Sequence, residues 1–333
     1  MQRRHLLGFG AAATFGAIGG AAIRPAAAQT SMVLKASDVH PEGYPTVAAV
    51  ESLGKKLEAA TNGRLKVQMY ASSQLGDEKA AIEQAQVGAL QIARVSVGAL
   101  GPVVDRLNVF NLPFVFRNSE HMRKVIDGKI GQELLDSIQA TPRAKLVGLA
   151  WMDAGARSVY NRVHPVEKLA DLKGLKIRVI PNPIFLAMIN ALGANGISMG
   201  YDQVFSALQT GVIDGAENNP PSYVFDHHYE AAKYFTFTEH LIVPEIIAFS
   251  APSWAKLSKA DQDLIRKLAR EAQFEERKLW DAKVAQALEM MKTGGVHIVN
   301  NIDKAPFQAA VKPVWDKFGA KYADVIKQIQ AVA

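Results

Sequence analysis

The stretch LKVQMYASSQLGDEKAAIEQAQVGALQIARVS, residues 65–96, decides the fold. Leu65, Val67 and Met69 alternate with Lys66 and Gln68, the period-2 pattern of a half-buried strand. GDEKAAIEQAQVGA then reads as a helix, with Asp77 placed to cap its first turn. LQIARVS returns to a strand. The same grammar extends upstream. VLKASDVH is a strand with a polar end, and Val47, Val50, Leu53 and Leu57 fall at helical spacing before an Asn62-Gly63 stop. A strand–helix–strand–helix–strand series predicts an α/β domain.

The pattern recurs downstream. KLVGLAW and DLKGLKIRVI are strands, NPIFLAMINALGA and YDQVFSALQTG are helices, and VIDGAEN is a strand, so a second α/β domain follows. AQVGALQIARVS (85–96) and LQTGVIDGAENN (208–219) share a helix end, a glycine stop, a short strand and a polar strand end, a weak internal repeat. From Ser258 to Thr293 the apolar spacing stays helical, with Ser258 and Asp261 as a capping box and no Pro or Gly inside. At 1.5 Å per residue that is a helix of roughly 50 Å, long enough to span both domains. VHIVN is a late strand, and helical segments finish the chain.

Residues 1–28 read as an export signal. Arg3 and Arg4 give a basic start, an uncharged Gly/Ala-rich run follows, and Ala26–Ala28 supply small residues for cleavage. The paired arginines open a twin-arginine route. Removing the segment takes away three arginines and no acid, so the charge excess falls from +6 to +3. That balance, without a basic tract, argues against nucleic acid as a partner. The chain has no cysteine, which excludes disulfides and thiolate chemistry.

Enzyme signatures are weak. GISMG (196–200) fits G-x-S-x-G, but a helix precedes it where the nucleophile motif needs a strand. His227 and His228 are adjacent and point apart, and neither they nor the other histidines form a metal-spaced motif. No cofactor or metal is expected. What remains is a set of polar residues at strand ends: His40, Arg94, Ser96, Trp151, Asp153, Arg178, Asn218 and Asn219, with Arg157 in GARSVY. Ligands of open α/β sheets sit outside the carboxyl ends of strands, so these residues predict one interdomain cleft. Three arginines there imply an anion. Arg178, at the end of the apolar strand GLKIRV, is the expected carboxylate clamp, because its planar fork matches two oxygens.

At this point DLKGLKIRV, FSALQTGVIDGAENNP, SSQLGDEKAAIEQAQVGAL and NLPFVF together resemble the solute-binding proteins of TRAP transporters, the DctP family. The resemblance implies a two-domain periplasmic binding protein of type II-like α/β fold, with discontinuous domains at 31–153 plus 244–282 and 154–243 plus 283–333. It implies hinges near 153–155 and 243–244, and partners in a small and a large membrane subunit driven by a sodium gradient. It assigns the solute carboxylate to Arg178, assisted by Arg157 and Asn218, with Asn219 as the alternative to Asn218. SDVHPEGYPTV, LGDEK, ARVS, DAGARSVYN and AENNPPSY look like the branch that binds hexuronates, glucuronate or galacturonate. In that reading His40, Glu78, Arg94, Asp153 and Asn218 read hydroxyls, and Trp151 lies against the sugar's apolar face or packs in the core. Ser96 departs from the asparagine expected there. Receptors for another carboxylate (a C4-dicarboxylate, a 2-oxo acid or an aromatic acid) and a ligand sensor for a membrane kinase are the alternatives.

Overall fold

The computed structural model describes residues 31–333, and the expected export signal lies outside the described residues. Eleven strands form two sheets. The first takes β1 (Met32–Ser37), β2 (Leu65–Tyr70), β3 (Ile92–Ser96), β4 (Leu146–Met152) and β10 (Glu245–Ser250). The second takes β5 (Ala156–Asn161), β6 (Lys176–Val179), β7 (Asn195–Ser198), β8 (Gly215–Asn218), β9 (Tyr234–Ile242) and β11 (His297–Val299). Residues 65–96 form β2, then helix α2 (Glu78–Gln86), then β3. Asp77 caps α2 as expected, accepting the Ala80 N–H at 2.9 Å.

The first sheet runs β2-β1-β3-β10-β4, and the second contains β7-β6-β8-β5-β9 with β11 at the edge. The two orders are equivalent. In each, three parallel strands are followed by an antiparallel strand that arrives from the other side of a crossing, and a fifth strand closes antiparallel to it. The exchanged strands are β10 and β5. The chain therefore passes between sheets at residues 153–155 and again at 243–244. At the first crossing Gly155 has φ +56°, and Trp280 stands 3.1 Å from where a Cβ would lie. Both facts select glycine there.

The weak repeat of the sequence is this symmetry. α2 and the helix Val204–Thr210 are each followed by a left-handed glycine, Gly88 and Gly211, and then by the central strand β3 or β8. Ser96 and Asn219, equivalent in the repeat, each cap the next short helix by accepting an N–H three residues on.

The helix Lys259–Thr293 runs 35 residues from a Ser258 cap, and spans both sheets as its spacing predicted. Ile265, Leu268, Ala269 and Ala272 enter the core of the first sheet. Trp280 packs with Tyr44, Val47 and Ala154 between the sheets. Ala287 and Met291 enter the core of the second. The tail after β11 packs back across the molecule: Trp315 Nε1 donates to the Pro113 carbonyl at 3.0 Å, and Tyr322 to the Asp105 carbonyl at 2.9 Å. No helix among the described residues is long and apolar enough to cross a membrane.

Candidate functional site

The carboxyl ends of β1, β3, β6 and β8, with the first residue of β10 and with Arg157 from β5, meet in a cavity between the sheets. Its lining includes His40, Glu78, Arg94, Arg178, Asn218 and Glu245. The first sheet supplies an arginine among carboxylates. Arg94 Nη2 donates to Asp38 Oδ1 at 2.6 Å and Nη1 to Glu78 Oε1 at 3.0 Å, and Glu245 Oε2 stands 2.9 Å from Nη1. Asp38 also accepts from Thr46 Oγ1 at 2.6 Å and from the His40 N–H at 2.9 Å, while the His40 ring nitrogen Nδ1 lies 3.0 Å away. Burial alone would raise the Asp38 carboxyl, but Arg94 and His40 hold it far below the usual carboxylate range. Glu78 is fixed in turn by the Ser96 N–H at 2.6 Å and the Ser96 hydroxyl at 2.8 Å.

The second sheet supplies two arginines in different states. Arg157 is neutralised: Glu217 accepts from its Nε at 2.5 Å and Nη2 at 2.9 Å, and Asn218 Oδ1 from its Nη1 at 2.8 Å. Arg178 has no such partner. It is 2% exposed, its Nε donates to the Met199 carbonyl at 2.9 Å, and it forms no ion pair among the described residues. Its guanidinium carbon lies 5.6 Å from the centre of the Tyr201 ring. Burial weakens its hold on the proton, Glu217 offsets this in part, and the adjacent Arg157 adds to it. Arginine keeps its charge regardless, so the cavity contains a buried cation with no ion-pair partner among the described residues.

The cavity is thus bipolar. Its Arg178 end carries an uncompensated positive charge, and at its other end three carboxylates surround Arg94. A carboxylate fits the first. Hydroxyl donors fit the second.

His228 borders the cationic end. Its Nδ1 is 2.7 Å from the Tyr160 hydroxyl, and burial, followed by repulsion from Arg178, pushes its pKa down to about 3. A base held neutral in the fold costs stability wherever the unfolded chain is already protonated. The cost therefore begins below the ordinary histidine pKa of ~6.5 and grows until about pH 3, reaching roughly 2 kcal/mol by pH 5. Replacing His228 with glutamine is expected to flatten the loss of stability between pH 6.5 and pH 5 in denaturant titrations. An unchanged acid limb would contradict this.

The strand-end residues do not all arrive in the cavity. His40, Arg94, Arg157, Arg178 and Asn218 line it, with Glu78 and Ser96. Trp151 does not, and the expectation that it lies against a sugar face is corrected. It is fully buried in the first sheet, 5.5 Å from Phe110, with Nε1 donating to the Gly131 carbonyl at 3.1 Å. It belongs to the hydrophobic core with Phe110 and Phe116. Trp151→Ala is expected to cost about 3–5 kcal/mol of stability while leaving solute affinity unchanged in the folded fraction. Asp153 is corrected as well. It is a crossing residue that accepts from Arg123 Nε at 2.5 Å and from the Gly155 N–H at 3.2 Å, and its own N–H donates to Glu276. Asn219 is occupied as a helix cap and as a partner of Tyr44.

Asp38, Glu217, Glu245 and Tyr201 were missed. Asp38 and Glu217 sit at the same strand ends as the chosen residues, so the strand-end argument reaches them. Glu245 follows a crossing and has no local signal. Ser198 ends β7, the helix Pro183–Ala191 precedes that strand as expected, and the serine is exposed.

Two equivalent sheets exchanging strands across two crossings, with a charged cavity between them, define a solute-binding protein. The chain belongs to the DctP family, bacterial extracellular solute-binding protein family 7, whose model matches residues 36–322. A TRAP periplasmic solute binding protein from Pseudomonas putida F1, solved with bound D-glucuronate, is 54% identical over 90% of this chain and 97% of its own, with a TM-score of 0.88. One from Xanthobacter autotrophicus Py2 with bound β-D-galacturonate is 43% identical over 90% and 100%, with a TM-score of 0.87. The Citrobacter koseri protein with bound D-glucuronate is 47% identical over 91% and 100%, with a TM-score of 0.89. Its apo, open structure, 45% identical over 90% and 99%, superposes less well, at 0.79.

Proposed function

We propose that this receptor binds a hexuronate, D-glucuronate or D-galacturonate, in the cavity between its sheets and delivers it to the small and large membrane subunits of a TRAP transporter. The observation that carries the reading is the bipolar cavity: an unpaired buried Arg178 at one end and three carboxylates around Arg94 at the other. A uronate has one carboxylate and a set of ring hydroxyls, and matches both ends. A C4-dicarboxylate would set its second charge against Asp38, Glu78 and Glu245, which argues against it. The relatives solved with D-glucuronate and galacturonate support the same choice.

Arg178 takes the carboxylate through both Nη groups, and Arg157 and Asn218 border the same end. His40, Glu78 and Arg94 meet hydroxyls. Closure turns on the crossings at 153–155 and 243–244, between domains of residues 31–153 plus 244–282 and 154–243 plus 283–333. Export to the periplasm follows from the expected signal. A thermal-shift screen of the mature protein tests the solute class. Both hexuronates, or one of them, should raise the melting temperature while succinate leaves it unmoved; the reverse ranking would discard the reading.

A further inference from the structure

We propose that Glu245 is a solute-contacting residue that accepts a ring hydroxyl and ties that contact to the crossings between the two sheets; the proposal rests on the hexuronate reading. Glu245 opens β10 directly after the crossing at 243–244. In the sheet it faces Ser96 on one side and Met152, the last residue before the other crossing, on the other. It thus stands in register between both passages of the chain. The residue is 6% exposed and lines the cavity with His40, Arg94, Arg178 and Asn218.

One oxygen is unexplained. Glu245 Oε2 is buried and, although it forms an ion pair with Arg94 Nη1 at 2.9 Å, has no hydrogen-bond partner among the described residues. Buried polar atoms are nearly always partnered, so an orphan at a cleft needs a reason. Neutralising Arg94 is not that reason, because Asp38 and Glu78 already bond it. Burial raises the Glu245 carboxyl above the ordinary range, Arg94 and His40 oppose this, and Glu78 and Asp38 reinforce it. A third carboxylate in this place is a net cost to the unliganded fold. A hydroxyl donated to Oε2 removes the cost and makes a charge-assisted bond. Arg178, on β6 of the opposite sheet, holds the other end of the same solute. The solute then bridges the sheets through a residue anchored beside both crossings.

A thermodynamic cycle tests this on the full mature chain. Wild type and Glu245→Gln are titrated calorimetrically with the preferred hexuronate and with its 2-, 3- and 4-deoxy analogues. Wild type should lose about tenfold or more on one analogue. The variant should lose a similar factor on the parent sugar and little more on that analogue, a coupling of about 1.4 kcal/mol. If Glu245→Gln does not fold, Glu245→Asp, which keeps the charge and shortens the reach, supplies the same cycle. A variant that binds the parent sugar as wild type does, or equal further losses on every analogue, overturns the assignment of Glu245 alone. No hexuronate binding by wild type overturns the hexuronate reading and this proposal with it.

Discussion

Arg178→Ala is expected to reduce solute affinity by at least about 100-fold while leaving the unliganded protein as stable as wild type or more stable. The two halves of that expectation have one cause. Among the described residues Arg178 is buried without an acidic partner, and its side chain donates one hydrogen bond, to the Met199 carbonyl. A buried charge in that state costs the fold, and Arg157 beside it adds repulsion. A solute carboxylate accepting from both Nη groups removes the cost, with each hydrogen bond to a charged group contributing about 1.5–3 kcal/mol. Arg178→Lys keeps the charge and loses the fork, so an intermediate affinity is expected. Denaturant melts of the unliganded proteins, paired with titrations, check both halves. A variant that loses affinity and stability together would make Arg178 a structural residue.

Glu217→Gln is expected to act in the opposite sense, costing about 3–5 kcal/mol of stability. Glu217 is fully buried and accepts from Arg157 through both carboxylate oxygens. Burial raises its pKa, but Arg157 brings it below the usual range, helped by His240, whose Nε2 lies 3.6 Å from Oε2. Because the folded value is depressed, this stabilisation is complete above the ordinary glutamate pKa and is lost as pH falls below it. With glutamine in its place Arg157 and Arg178 become two neighbouring buried cations without a protein anion. Added solute should then recover part of the lost stability, giving a larger ligand-induced rise in melting temperature than in wild type. Equal rises in the two proteins would show that the Arg157–Glu217 pair and the solute site do not share charge.

The sequence carries the architecture better than the exchanged strands. Alternation in LKVQMY, the Asp77 cap and the Ser258 cap each act over a few residues, and each element stands where its pattern places it. β10 is buried along its whole length, so its residues Glu245–Ser250 lack the alternation that marks a half-exposed strand. β9 carries Glu239 at φ +43°, and its pairing with β5 shifts register beside Arg157, which breaks the period. The site divides the same way. Arg94, Arg178 and His40 lie where strand ends point. Trp151 lies on a strand whose alternation turns it into the core. The unpaired charge of Arg178 and the balanced charge of Arg157 both follow from Glu217 pairing with Arg157, and a pairing across β5 and β8 is not visible along one strand.

The central claim is that one solute satisfies both ends of the cavity. Calorimetric titration of the mature protein with glucuronate, its neutral amide glucuronamide, and succinate tests it most directly. The account predicts binding of glucuronate at micromolar concentration or below, a loss of about 100-fold or more for the amide, and no heat from succinate. Succinate binding as tight as glucuronate, or an amide that binds as well as the acid, would contradict it.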